Sequence, residues 1–97
     1  MTMNKVEVLS IRLIGDGRPL KGFADVKIGD ILIRDFRIMQ NDGRPYIKAP
    51  FQTYKNNVGE IQFRQIIDLP DEVRGQVDNL ILTAFYREKE KVNERSQ

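Results

Sequence analysis

Behind Leu69-Pro70 the spacing of apolar residues changes from every second position to a helical repeat, and that switch sets the class of fold available to the chain. Ahead of it, Leu20, Gly22, Ala24, Val26 and Ile28 fall on one side of an extended chain, while Lys21, Asp25 and Lys27 share the other with Phe23. This is the pattern of a half-solvated antiparallel strand. Lys5 to Ile14, Ile31 to Met39, Pro45 to Ala49 and Ile61 to Ile67 read as four further strands. Turn chemistry separates them: Gly15-Asp16-Gly17-Arg18-Pro19, the two-residue Gly29-Asp30, and Asn41-Asp42-Gly43. Pro45 is acceptable near a strand start, where no ladder hydrogen bond need be donated.

The helical part opens with Leu69-Pro70-Asp71-Glu72, a proline for the first turn and two acids facing the positive end of the helix dipole. Val73, Val77, Leu80, Ile81 and Ala84 recur at helical spacing, and Leu82 with Phe85 widens the stripe. A helix from about Asp71 to about Lys91 is expected, its apolar face on the sheet. Gly75 inside it costs on the order of 1 kcal/mol relative to alanine, which close approach to a strand or partner would explain. The expected fold is therefore α+β: an antiparallel sheet of about five strands with one long C-terminal helix packed on it. The 97 residues are expected to form one domain, with a charged tail over about 87–97.

Two features of the strand region ask for more. Ideal alternation puts Ile31 and Ile33 on one face of the third strand and Leu32, Phe36 and Ile38 on the other. One helix cannot cover both, so a homodimer that buries the second face or an edge is expected. Pro50 to Glu60, with Asn56-Asn57 and Gly59 as turn formers, reads as a long connection of the kind that often carries function.

The chain has no Cys and no His. That removes disulfides, thiolate chemistry, the usual zinc sites and every Ser-His or Cys-His arrangement. No glycine cluster has P-loop or dinucleotide spacing, and no acidic run fits a calcium loop. Asp30 with Asp35, and Asp71 with Glu72, are the nearest carboxylate pairs; the first pair divides between a turn and a strand, and the second is explained by the helix dipole. No enzymatic activity, cofactor or metal is expected. No run approaches a membrane span and the N-terminal stretch lacks a continuous signal-peptide core, so a cytoplasmic protein without membrane insertion is expected.

Charge is unevenly spread. Residues 1–67 hold eleven Lys and Arg against seven acids, a net of +4, whereas residues 68–97 hold five against seven, a net of −2. Within residues 44–67, Arg44, Lys48, Lys55 and Arg64 face the single acid Glu60. A local positive field of this kind attracts polyanions, nucleic acid above all. Lys48, Lys55 and Arg64 flank or sit in the long connection, where a fold back over the last strands would bring them together. Phe51 reads as the anchor of that segment and Tyr54 as the side chain to stack on a base. Arg34 and Arg37, among apolar neighbours, read first as partners of Asp35, Asp30 or Glu60 across strands, and second as phosphate contacts.

A resemblance joins these pieces. Ile33-Arg34-Asp35-Phe36-Arg37-Ile38, then Gly43, Tyr46-Ile47-Lys48-Ala49-Pro50, Gly59-Glu60 with Phe63-Arg64, and Arg74-Gly75-Gln76-Val77 together resemble the stage V sporulation protein G family of bacterial septation regulators. The likeness runs from about Val6 to Tyr86 in one order. It implies a small α+β homodimer without enzymatic activity that binds DNA, with RNA a further ligand, and acts in gene regulation, septation or sporulation. One position departs: after the proline closing the fourth strand, family members often carry a Lys-Arg pair, and here Gln52 and Thr53 stand there with Lys55 next. If that pair contacts phosphate in the family, the resemblance implies binding here that is weaker, shifted to Lys55 or lost at that point. The expected interface comprises Lys48, Gln52, Tyr54, Lys55, Arg64, Arg34 and Arg37. The alternative is a protein-interaction module for cell-division or regulatory partners that uses the third strand and the charged helix.

Overall fold

The computed structural model describes residues 5–15, 17–41 and 43–95; Asp16 and Asp42, central to two of the expected turns, and the last two residues of the charged tail lie outside the described residues. Six antiparallel strands and one helix follow one another: β1 (Val6–Leu13), β2 (Leu20–Ile28), β3 (Ile31–Met39), β4 (Tyr46–Lys48), β5 (Phe51–Lys55), β6 (Ile61–Gln65) and α1 (Asp71–Arg95). They form two sheets. The first has the order β1-β2-β3-β4, and the second is the hairpin β5-β6. The α+β class is as the sequence implies, but the segment after Pro50 is a strand and not a loop. Phe51 to Lys55 pairs residue for residue with Gln65 to Ile61, leaving only Asn56 to Glu60 as the turn.

Local chemistry explains the turns. Ile28 pairs with Ile31 across Gly29-Asp30, and Gly29 takes a φ of 58°, which glycine adopts without steric cost. In the hairpin, Asn56 Oδ1 accepts from the amides of Val58 (3.1 Å) and Glu60 (2.9 Å), and Gly59 supplies a φ of 84°. At the helix start the Arg74 amide donates to the Pro70 carbonyl at 2.8 Å, which places the proline where its missing N–H costs nothing.

The core lies between the first sheet and α1. Ala24, Val26, Ile28, Ile33, Phe36, Ile38 and Ile47 of the sheet meet Val77, Ile81 and Phe85 of the helix, each four residues after the last. Leu80, expected in the stripe, is exposed. Over 25 residues the helix is about 37 Å long. At Gly22 the backbone of β1 lies against β2: a Cβ there would sit 2.6 Å from the Arg12 carbonyl oxygen. Gly75 is different. It is exposed, and a Cβ would meet nothing within 4 Å, so no close approach by the described residues accounts for it.

The third strand corrects the expectation of two apolar faces. Val26 pairs with Ile33 and Ala24 with Phe36, so β3 carries Arg34 and Asp35 opposite the single residue Asp25. Asp35 takes a φ of 67° in this bulge. The extra residue shifts the phase of the strand, and Ile33, Phe36 and Ile38 all turn toward the helix. β1 does the same on the other side, where Leu9 has no partner between the pairs Val8–Val26 and Ser10–Asp25. Val6, Val8, Ile11 and Leu13 thereby share the helix side. Only Ile31 and Leu32 remain as exposed large apolar residues of β3, so the strand does not present a second continuous apolar face for a homodimer to bury.

Candidate functional site

The two bulges meet at Asp25, the one buried charged residue among those described, at 8% exposure. Its Oδ1 accepts from Arg12 Nη2 (3.2 Å) and from the Asp35 amide (3.1 Å), and its Oδ2 accepts from Ser10 Oγ (3.2 Å). Arg34 Nη1 stands 3.7 Å from the same Oδ2. Arg12 Nη2 also donates to Asp35 Oδ1 at 2.8 Å. That hydrogen bond, with the charges of Asp25 and Asp35 behind it, raises the Arg12 pKa above its ordinary value despite partial desolvation. A buried carboxylate with this many donors is satisfied, and it fixes where Arg12 lies on the open face.

From Arg12 a row of side chains crosses the open face, strand by strand. Arg12 pairs with Phe23, Phe23 with Arg37, and Arg37 with Lys48, so one residue from each strand of the first sheet stands in line. The Arg12 and Arg37 guanidinium carbons lie 5.4 and 5.6 Å from the Phe23 ring centre. Arg37 is 4.4 Å from the ring of Phe51, and Lys48 Nζ is 5.1 Å from Phe51 and 6.0 Å from Phe63. Phe51 and Phe63 meet edge to face, 5.6 Å apart at 63°. The row therefore alternates cation and ring from β1 to the β5-β6 hairpin. Each such contact is worth about 0.5–1 kcal/mol at an exposed site, enough to orient side chains without burying them.

Of the expected interface residues, Arg37 and Lys48 stand in this row. Neither forms an ion pair among the described residues; Arg37 lies beside rings and not beside an acid. Arg34 does take the electrostatic partner expected of it, but the partner is Asp25 and not Asp35, Asp30 or Glu60. The hairpin divides the rest. Phe51, Thr53 and Lys55 pair with Gln65, Phe63 and Ile61 on one side; Gln52 pairs with Arg64 and Tyr54 with Gln62 on the other. Lys55 thus shares a side with Phe51 and Phe63, whereas Gln52, Tyr54 and Arg64 lie on the reverse. Lys48, Lys55 and Arg64 are not gathered into one cluster.

Sequence reading missed Arg12, Phe23 and Phe63. Phe23 left a signal, as the one aromatic residue on the polar side of its strand, but its partners depend on the bulge. An unbulged ladder out of Gly29-Asp30 sets Phe23 opposite Phe36; the bulge sets it opposite Arg37. Phe51, read as an anchor, is half-buried and closes two clefts. One, of about 340 Å3, runs past Arg34, Arg37, Pro50 and Ile66; the other, of about 370 Å3, is lined by Lys48, Ala49, Phe51, Phe63, Gln65 and Arg74. Arg74 reaches the second from the first turn of α1. It donates through Nη2 to the Ile47 carbonyl (2.6 Å) and through Nε to Asp78 (2.8 Å), which also covers the outer edge of β4.

No protein-family model matches the chain, and no curated protein does. Among the described residues no helix is long and apolar enough to cross a membrane.

Proposed function

We propose that the chain is a nucleic-acid-binding regulatory protein, with the open face of the first sheet and the adjoining side of the β5-β6 hairpin as its interface. The observation that carries this reading is the row Arg12-Phe23-Arg37-Phe51-Lys48-Phe63, cations and rings in alternation with Arg37 and Lys48 free of ion pairs among the described residues. Cations spaced along a sheet contact phosphates, and Phe63, the exposed ring at the end of the row, offers a base a stacking surface. The net positive charge of residues 1–67 draws the polyanion to this half of the molecule. DNA and RNA both present the required phosphates, and the resemblance to septation regulators supports a role in gene regulation, septation or sporulation. The carboxylates Asp25, Asp35 and Asp78 each hold an arginine, which supports a binding role over an enzymatic one.

The test is fluorescence anisotropy against short duplex DNA, single-stranded DNA and RNA at two salt concentrations. Binding is expected to weaken steeply with salt, and Arg37→Ala with Lys48→Ala to lower the salt slope by about 2, one for each phosphate no longer neutralised. An unchanged affinity and slope in a folded double variant would refute the interface.

A second reading has its own observation. Leu32 at the start of β3 and Ile66 just after the hairpin, both exposed large apolar residues, line one cleft beside Phe51. A patch of this kind suits a second copy of the chain or a cell-division or regulatory protein. Retained binding to such a partner after loss of the Arg37 and Lys48 charges, with no nucleic-acid binding at low salt, would favour it.

A further inference from the structure

The cleft between β4, the hairpin and the first turn of α1 brings together two rings, two cations and a side-chain amide. Phe63 is 68% exposed, although it stands on a strand whose partner residues could have been polar. Its ring meets Phe51 edge to face, and both rings line the cleft. Lys48 and Arg74 add two cations, and no carboxylate lines the space. Two nitrogens of Arg74 are held by the Ile47 carbonyl and Asp78, so the guanidinium is fixed while Nη1 keeps its donors. Gln65 is fixed too: its Nε2 donates to the Ile67 carbonyl (2.7 Å) and to Asp68 Oδ1 (2.8 Å), and among the described residues its Oε1 carries no hydrogen bond. At about 370 Å3 the cleft is in the range of small-ligand sites.

Building on the nucleic-acid reading, we propose that this cleft holds one unpaired nucleotide of a single strand. The base stacks on the exposed ring of Phe63, with Phe51 behind it edge to face, Gln65 Oε1 accepts a hydrogen bond from the base edge, and Lys48 and Arg74 meet the phosphate. The row across the open face then carries the neighbouring phosphates toward Arg12. A paired base cannot enter without being flipped from its stack, at a cost of a few kcal/mol, so the site discriminates single strands from duplex. The shared chemistry is that of a nucleoside monophosphate, and a strand is the source that also uses Arg37 and Arg12.

The experiment compares four probes at one salt concentration by anisotropy and competition: a short single strand, the same strand with abasic positions throughout, its duplex, and AMP. The intact strand is expected to bind about tenfold tighter than the abasic strand or the duplex, the scale of one base stacked on an aromatic ring. Phe63→Ala should remove that margin and leave the salt slope intact, while Phe63→Tyr keeps both; circular dichroism confirms the fold of each. Equal binding of intact and abasic strands, or a margin that survives Phe63→Ala, overturns the nucleotide cleft while the phosphate interface stands. Failure of every strand and duplex to bind overturns the interface itself and the cleft with it. Competition by AMP as strong as that of the intact strand overturns the single-strand assignment in favour of a free nucleotide.

Discussion

The two faces of the four-stranded sheet are made by the same strands and held by different forces. On the helix side, Val26, Phe36 and Ile38 are removed from water against Val77, Ile81 and Phe85, so shape and volume decide stability. On the open side, Arg12, Phe23, Arg37 and Lys48 remain in contact with solvent, and charge and ring geometry decide where they stand. The difference teaches that one face can be tuned for a ligand without cost to the core, because the hydrophobic term lies almost wholly on the other. Asp25 is the exception that links them. It is buried like a core residue, yet its partners Ser10, Arg12 and Arg34 belong to the open face.

Three substitutions break or sharpen this contrast, beyond the tests of binding. Phe36→Ala should have the largest effect, a loss of about 4 kcal/mol in urea denaturation, since a fully buried aromatic ring leaves a cavity. A loss as small as that of an exposed side chain would mean that the helix face is not the core. Asp25→Ala follows at about 2 kcal/mol, because the Asp35 amide and Ser10 Oγ lose their acceptor while half-exposed Arg12 can turn to water. Amide exchange should quicken at Asp35 and Leu9 before it does in the centre of α1; uniform protection would show that the two bulges do not depend on this carboxylate. Gly75→Ala should give the smallest change and the opposite sign, a gain of up to about 1 kcal/mol, as neither face is touched. A thermal midpoint that falls instead would reveal a constraint at Gly75 outside the described residues.

Much of the architecture was legible. The Gly29-Asp30 hairpin, the helix start at Pro70-Asp71 and the buried stripe of Val77, Ile81 and Phe85 follow from turn chemistry, dipole and period. The hairpin strand β5 was not, because Phe51-Gln52-Thr53-Tyr54-Lys55 is polar on the positions that a sheet face would make apolar. Its strand character comes from pairing with β6 and not from its own pattern. At the candidate site, Arg37 could be singled out as a cation among apolar neighbours and Lys48 as one flanking the segment after Pro50. Their ring partners Phe23 and Phe63 could not, since these lie fourteen or more positions away in sequence.

By itself, then, the sequence determined the α+β class, one helix after a run of strands, and a positive field over residues 1–67. Those properties are sums over local preferences and charges, and they do not depend on which strand meets which. Tertiary structure decided the phase of β1 and β3 and the row that crosses them. Leu9 and Arg34-Asp35 are bulges because strands on both sides of β2 must bring their apolar residues to one helix while their polar groups close on Asp25. An alternation read along one strand has no knowledge of its neighbours, and a single inserted residue reverses every side chain beyond it.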